Sequence, residues 1–199
     1  MLKKNYGIAF DFDGVISDVY HIFRGHFWDM FGVNIEAEKD HYNFEFDLKK
    51  SEFYEDWWWK EIAVAITQYQ HICPPIHESI EALKAIYEKY GDITIITARE
   101  PSDAVMQVTK LWCEKVFDFP YEIHFVADSK QKKLELMRLG IIYYVDDRWK
   151  TAQHLSEILD ISFLFDSPWN RGRKEQLERN VIRVDSLWRM KDILDARLA

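Results

Sequence analysis

The run Phe10-Asp11-Phe12-Asp13-Gly14-Val15-Ile16-Ser17-Asp18 places two carboxylates one residue apart, where an apolar segment stops and a glycine can bend the chain. The residues before it, Tyr6-Gly7-Ile8-Ala9-Phe10, are continuously apolar, the pattern of a strand buried on both faces of a parallel sheet. Asp11 and Asp13 then fall at its carboxyl end. Side chains alternate along a strand, so residues two apart share a side while the extended geometry lasts. Two anions held that close repel unless a cation or a shared proton offsets them. The pair therefore predicts a metal, a proton-transfer role or both, and a carboxylate so placed can also attack a phosphoryl group to give an aspartyl-phosphate. Taken alone, Asp-x-Asp-Gly also fits an acidic turn. A calcium loop does not fit: with Asp13 and Gly14 at its fifth and sixth positions, Ala9 would be the first ligand and Tyr20 the last, and neither carries a carboxylate.

The length of 199 residues suits one domain, or one domain with a modest insertion, and is ample for a sizeable core. A formal net charge of −8 argues against a broad electrostatic footprint for duplex nucleic acid or an anionic membrane, but leaves room for a small anionic substrate met by local positive charge. Lys3 and Lys4 precede an apolar run that ends at Asp11, too short for a signal peptide or a membrane span, and no other stretch could cross a bilayer. Cys73 and Cys113 stand far apart in unrelated surroundings, which suits two reduced thiols in a cytoplasmic protein better than a disulfide framework. The seven histidines show no zinc-ligand spacing with Cys or carboxylates. Neither a Gly-rich phosphate loop nor a Gly-x-Ser-x-Gly turn occurs.

After Asp18, the residues Val19, Ile22, Phe23, Phe27, Met30 and Phe31 recur at helical spacing, with Gly32 as a stop. Residues 33–50 show no period and read as loop, with Tyr42, Phe44 and Phe46 among charges. Ser51 reads as the N-cap of a second helix reaching about Gln70, with Glu52, Glu55 and Asp56 complementing its dipole. That helix contains Trp57-Trp58-Trp59, whose side chains point about 100° apart, so one flat core cannot take all three. Pro74-Pro75 marks the return from this segment. A helix with Ile80, Leu83 and Ile86 inward ends at Gly91, and a strand from Asp92 to Thr97 leads into Ala98-Arg99. Ser102 caps a helix carrying Val105, Val108, Leu111 and Trp112. Strand Tyr121 to Val126, helix Ser129 to Leu139, and strand Ile141 to Val145 follow, closed by Asp146-Asp147-Arg148. A helix through Leu155, Ile158 and Leu159, strands Ile161 to Phe165 and Val181 to Val184, and a helix from Asp185 complete the pattern. Alternating strands and helices imply a parallel sheet covered on both faces, with ligands bound beyond the strands' carboxyl ends. Asp11, Asp13, Thr97, Asp146 and Asp147 all fall at those ends.

An acidic pair, a hydroxyl, a lysine and a second acidic pair, in that order along an α/β pattern, resemble the motifs of the haloacid dehalogenase (HAD) superfamily of phosphohydrolases. Asp11-Phe12-Asp13-Gly14-Val15 and Val145-Asp146-Asp147 are the most specific parts of a likeness that covers most of the chain. The resemblance implies a Rossmann-like three-layer α/β core, residues 1–18 and 74–199, with a small helical cap at 19–73 inserted after the first strand. It implies Asp11 as nucleophile, Asp13 as general acid and then base, and Thr97 as a hydrogen-bond donor to the transferring phosphoryl group. It further implies Mg²⁺ held by Asp11, the Asp13 backbone carbonyl and Asp146 or Asp147, with Gly14, Ala98 and Arg99 lining the substrate site. The active-site lysine comes from Lys130, Lys132 and Lys133. Lys130, at the helix start on the side where the other groups converge, is the expected one, the other two lying deeper and solvated.

The aromatic insertion and the segments Thr97-Ala98-Arg99 and Phe165-Asp166-Ser167-Pro168-Trp169-Asn170-Arg171 are similar to the 5′-deoxyribonucleotidase branch and its bacterial and phage relatives. A cytoplasmic Mg²⁺-dependent phosphatase of nucleoside monophosphates, with a homodimer allowed, is the expectation. Asn170 and Arg171 either line the rim of the site or cap a turn. The alternatives are a sugar-phosphate phosphatase, a polynucleotide 3′-phosphatase, a phospho-acceptor signalling module and a catalytically silent binding protein. A signalling receiver carries its acceptor on a later strand, so the order of motifs speaks against it.

Overall fold

The computed structural model of the protein describes residues 6–32, 54–171 and 176–198; the side chains of Phe27, Phe31 and residues 54–60 are outside that description. The loop reading of residues 33–50, with Phe44 and Phe46, the N-cap at Ser51 and the indoles of Trp57, Trp58 and Trp59 lie outside the described residues.

Six parallel strands form one sheet in the order β3-β2-β1-β4-β5-β6: β1 Ile8–Phe10, β2 Ile93–Thr97, β3 Tyr121–Phe125, β4 Tyr143–Asp146, β5 Ile161–Phe165 and β6 Val181–Val184. Among the described residues the helices are α1 Val19–Phe31, α2 Tyr54–Tyr69, α3 Ser79–Tyr90, α4 Asp103–Val116, α5 Ser129–Leu139, α6 Trp149–Leu155 and α7 Leu187–Leu198, with 3₁₀ turns at Gln70–Ile72 and Pro168–Asn170. The chain winds one way from β1 to β3, then crosses back to place β4 on the other side of β1. A receiver sheet has the order 2-1-3-4-5, so this topology is not a receiver's.

Strand alternation builds the two faces. Ile8 and Phe10 join Ile93, Ile95, Tyr143, Val145 and Phe163 in one core with Leu83 and Ile86 of α3 and Met190 and Leu194 of α7. Ala9, Ile96 and Tyr144 point the other way, against Leu136 of α5 and Leu155 of α6. A separate cluster unites Val19, Ile22 and Phe23 of α1 with Ala65 and Ile66 of α2, Cys73 and Val105 of α4. Helices α1 and α2 thus share an apolar nucleus that leans on α4.

Most expected elements stand within two or three residues of their observed bounds. The differences have local causes. Ser102 occupies the N-cap position of α4 without a side-chain capping bond, and Leu111 is 55 % exposed while Cys113 is buried, so the inward stripe runs Val105, Thr109, Trp112 and Cys113. Met30 of α1 likewise faces outward. Helix α6 stops at Leu155, and Ile158 and Leu159 pack from the turn that follows it. Both cysteines are free and buried. Among the described residues no helix is long and apolar enough to cross a membrane.

Candidate active site

Phe10 lies opposite Val145 in the β1/β4 register, so Asp11 and Asp146 leave the sheet abreast of one another beside the point where the chain crosses back. Past Asp11 the backbone turns tightly: the Ile16 and Ser17 N–H groups both donate to the Phe12 carbonyl at 2.9 Å. Fully buried Phe12, Val15 and Ile16 anchor that turn. Gly14 sits inside it at φ +71°, where a Cβ would collide with the Asp147 carboxylate, 2.7 Å from its Cγ. Glycine is needed here twice, for the left-handed backbone and for the approach of Asp147.

Asp11, Asp146 and Asp147 are all buried, and each offers an oxygen within 4.8 Å of the others. The ammonium of Lys132, itself buried, lies 3.1 Å from Asp11 Oδ2 and 2.8 Å from Asp146 Oδ2. Asp11 Oδ1 accepts the Phe12 N–H at 2.8 Å and Asp146 Oδ1 accepts the Arg148 N–H at 2.8 Å, which fixes both carboxylate planes. Burial raises the Asp11 carboxyl to about 8, against the pull of Lys132 and with the help of Asp146 and Asp13. Burial likewise raises Asp147, with Asp146 and Asp11 adding to it. For Lys132 burial opposes the charge, but Asp11 and Asp146 outweigh it and hold the ammonium above its ordinary range. Once ionised, three dry carboxylates outnumber the one ammonium and call for further positive charge. Such an all-oxygen set fits a hard divalent cation.

The lysine that meets these carboxylates is Lys132, where Lys130 was expected. Lys130 is exposed at the start of α5, its backbone N–H capped by Asp128 Oδ1 at 2.9 Å, and Lys133 pairs with Glu157. Lys132 stands four residues before Leu136, the fully buried residue of α5, so the two share the inward face. Leu134 and Met137 are exposed, and with four apolar residues in Leu134–Leu139 the period in sequence was ambiguous. Anchoring the helix on Leu136 would have selected Lys132.

Arg99 is 3 % exposed, and its guanidinium forks onto Asp13, Nη2 to Oδ1 at 2.6 Å and Nε to Oδ2 at 2.9 Å. Nη1 donates to Thr109 Oγ1 and Nη2 also to Gln70 Oε1, each at 2.8 Å. Asp13 is thus turned toward Arg99, its side chain 28 % exposed beside the buried cluster. Thr97, fully buried, ends β2 with Oγ1 accepting the Arg99 N–H at 3.3 Å, and Ala98 is exposed at the same edge.

The segment after β5 closes the other side. Asn170 Nδ2 donates to the Asp147 and Phe165 carbonyls, both at 2.7 Å, and so props the acidic pair from behind rather than lining the rim. Arg171 pairs with Asp166. Trp169 reaches over Gly14 and stacks on Tyr20 of α1, ring centres 3.6 Å apart. Neither Trp169 nor Gln70 carries a sequence pattern that announces a place here; only the fold does.

No protein-family model matches the chain, and no curated protein matches it by sequence. Solved structures match its fold along almost the whole length. A haloacid dehalogenase-like family hydrolase from Xanthomonas campestris is 14 % identical, with 96 % of each chain covered and a TM-score of 0.60. A candidate β-phosphoglucomutase from Thermotoga maritima is 16 % identical, covering 95 % of this chain and 98 % of its own, with a TM-score of 0.58. A HAD family hydrolase from Deinococcus radiodurans, solved with bound phosphate and sodium, is 14 % identical over 96 % of each chain, with a TM-score of 0.54. The architecture is therefore the α/β Rossmann-like fold seen in HAD hydrolases.

Proposed function

We propose that the protein is a magnesium-dependent phosphomonoesterase that passes the phosphoryl group of a small ester to Asp11 and then to water. The convergence of Asp11, Asp146, Asp147 and Lys132 beside the sheet's crossover carries this reading. Asp11, the Asp13 backbone carbonyl and Asp146 or Asp147 would hold Mg²⁺, which when bound supplies Lewis-acid charge toward the anionic phosphoryl group.

The rest belongs to the chain's own groups. Lys132 and the Phe12 N–H each hold one Asp11 oxygen, so the nucleophile is oriented before substrate arrives. As the Asp11 oxygen bonds to phosphorus, the ester oxygen leaves with the electrons of its P–O bond and takes a proton from Asp13. Water then attacks the phosphorus, returns a proton to Asp13 and frees the Asp11 carboxylate with inorganic phosphate. Thr97 donates its hydroxyl to the phosphoryl oxygens. The Trp169–Tyr20 stack shields the Gly14 side of the site from water.

For the leaving group, the likeness of the insertion and of the Asp166–Arg171 segment to deoxyribonucleotidases favours a nucleoside monophosphate. A sugar phosphate stands level with it, because the matching folds include the candidate β-phosphoglucomutase. The inserted segment 19–73 acts in both readings as a cap over that leaving group. A panel of nucleoside monophosphates, sugar phosphates and 3′-phosphorylated oligonucleotides, with magnesium and with chelator, tests the proposal. Turnover only with magnesium and its loss in Asp11→Asn are expected; absence of turnover across the panel overturns it.

A further inference from the structure

The two linkers joining the sheet to the inserted helices run side by side. Ser17 bridges both Asp13 and Pro75, the Asp18 N–H donates to the Pro74 carbonyl at 3.0 Å, and the Ile76 N–H donates to the Ile16 carbonyl at 2.8 Å. Gln70, in the 3₁₀ turn that ends the insertion, lies against this crossing with no exposed surface. Burying an uncharged amide costs free energy that an apolar side chain of similar size would not, so its hydrogen bonds are the reason to look for a role. Its Nε2 donates to Ser17 Oγ at 3.4 Å, a long bond, while its Oε1 accepts from Arg99 Nη2 at 2.8 Å. The stronger contact is therefore the one to Arg99.

Arg99 converts that contact into geometry at Asp13. A guanidinium is planar and rigid, and three acceptors around its rim, Gln70 Oε1, Thr109 Oγ1 and the Asp13 carboxylate, leave it one orientation. Its face lies over the Phe12 ring, 4.5 Å from the ring centre, which blocks tilting. We propose that Gln70 is a positioning residue: through the plane of Arg99 it fixes where the Asp13 carboxyl, the proton donor of the reading above, is held, and so governs proton delivery to the leaving oxygen. The base of the inserted helices is thereby tied to the proton donor of the core. This inference rests on the phosphomonoesterase reading above.

The test compares two esters drawn from those the protein turns over, an alkyl phosphate, whose leaving oxygen needs a proton, and p-nitrophenyl phosphate, whose leaving group departs as a stable anion. The parameter kcat/KM covers only steps up to the first phosphoryl transfer, so hydrolysis of the phosphoenzyme does not enter. A misplacement of about 1 Å can cost a hundredfold, and Gln70→Leu is expected to lower the alkyl-to-aryl ratio of kcat/KM by about tenfold or more. Gln70→Glu keeps an oxygen for Arg99 Nη2 and is expected to restore the ratio to within about threefold of the unaltered protein, since partner geometry rather than packing alone is retained. Where Gln70→Leu does not fold, Thr109→Val, which removes the acceptor for Nη1, is expected to shift the ratio the same way. Equal losses on both esters, or none, in a folded variant overturn this inference and leave the phosphatase reading standing. Failure of the unaltered protein on both classes of ester overturns that reading and this inference with it.

Discussion

At the scale of single residues the site is decided by close approaches. Gly14 must hold φ +71° and leave room for the Asp147 carboxylate. Alanine there costs about 1–2 kcal/mol for the left-handed backbone alone, a fall of a few degrees in melting temperature for a chain of this size. The collision with Asp147 adds a displacement of a buried carboxylate, so Gly14→Ala is expected to lose activity out of proportion to stability, about a hundredfold in kcat/KM. Activity within threefold of the parent would show that Asp147 moves without consequence. Lys132 makes the second residue-level prediction. Removing one member of a buried charge cluster costs about 3–5 kcal/mol, so Lys132→Met is expected to lower the denaturant midpoint and to abolish turnover. Lys130→Met is expected to alter neither, since its side chain is exposed at the start of the helix. The reverse pattern would return the active-site role to Lys130. Sequence led to Lys130 through its place at the helix start, a rule about where chains converge. Burial follows helical phase instead, and Leu136 sets that phase.

At the scale of elements the sequence was most informative where one face is wholly apolar. Ile93–Thr97, Ile161–Phe165 and Val181–Val184 form strands close to where the apolar runs placed them, and α5 runs from Ser129 to Leu139 as expected. What the pattern could not carry were contacts between elements distant in sequence: Arg99 onto Asp13, Gln70 onto Arg99, Trp169 onto Tyr20. The α3–α7 pair is a further case, and its polar tie has a measurable pH signature. Asp195 of α7 accepts the Tyr90 hydroxyl and lies 3.0 Å from Lys89 of α3 and 2.8 Å from Lys191. Although partial burial opposes it, these bonds from Lys191, Tyr90 and Lys89 hold the carboxyl below the ordinary carboxylate range. A depressed folded value means the folded state favours the ionised group. The stabilisation is then present in full above the ordinary carboxylate range and disappears as pH falls through the folded value. For a network at this exposure Asp195→Asn is expected to cost about 1 kcal/mol at pH 7, with the gap to the parent closing toward pH 2 in urea titrations. A gap that stays constant with pH would mean that shape, not charge, makes the tie.

At the scale of the whole molecule, the formal charge of −8 and the buried acidic cluster both favour a cation, but only the cluster can select one. The sheet's crossover sets it there: β1 and β4, remote in sequence, become neighbours, and their carboxyl ends deliver Asp11, Asp146 and Asp147 to one dry volume. Metal-free, that volume is held by protons. With the Asp11 carboxyl raised from 3.8 to about 8 and Asp147 raised as well, the folded state binds protons the unfolded chain has released, so metal-free stability falls as pH rises across that window. Cation binding must displace those protons, and its affinity therefore rises with pH. Added magnesium at about one hundred times its dissociation constant stabilises by about 2.7 kcal/mol, a shift of roughly 5–10 °C for a chain of this length. The shift at a fixed magnesium concentration is expected to be large at pH 8, to shrink toward pH 5.5, and to vanish when Asp146 and Asp147 are both changed to Asn. Thermal melts with magnesium and with chelator at both pH values decide the matter. A shift equal at both, or one that survives loss of both carboxylates, would place the cation somewhere other than in this cluster.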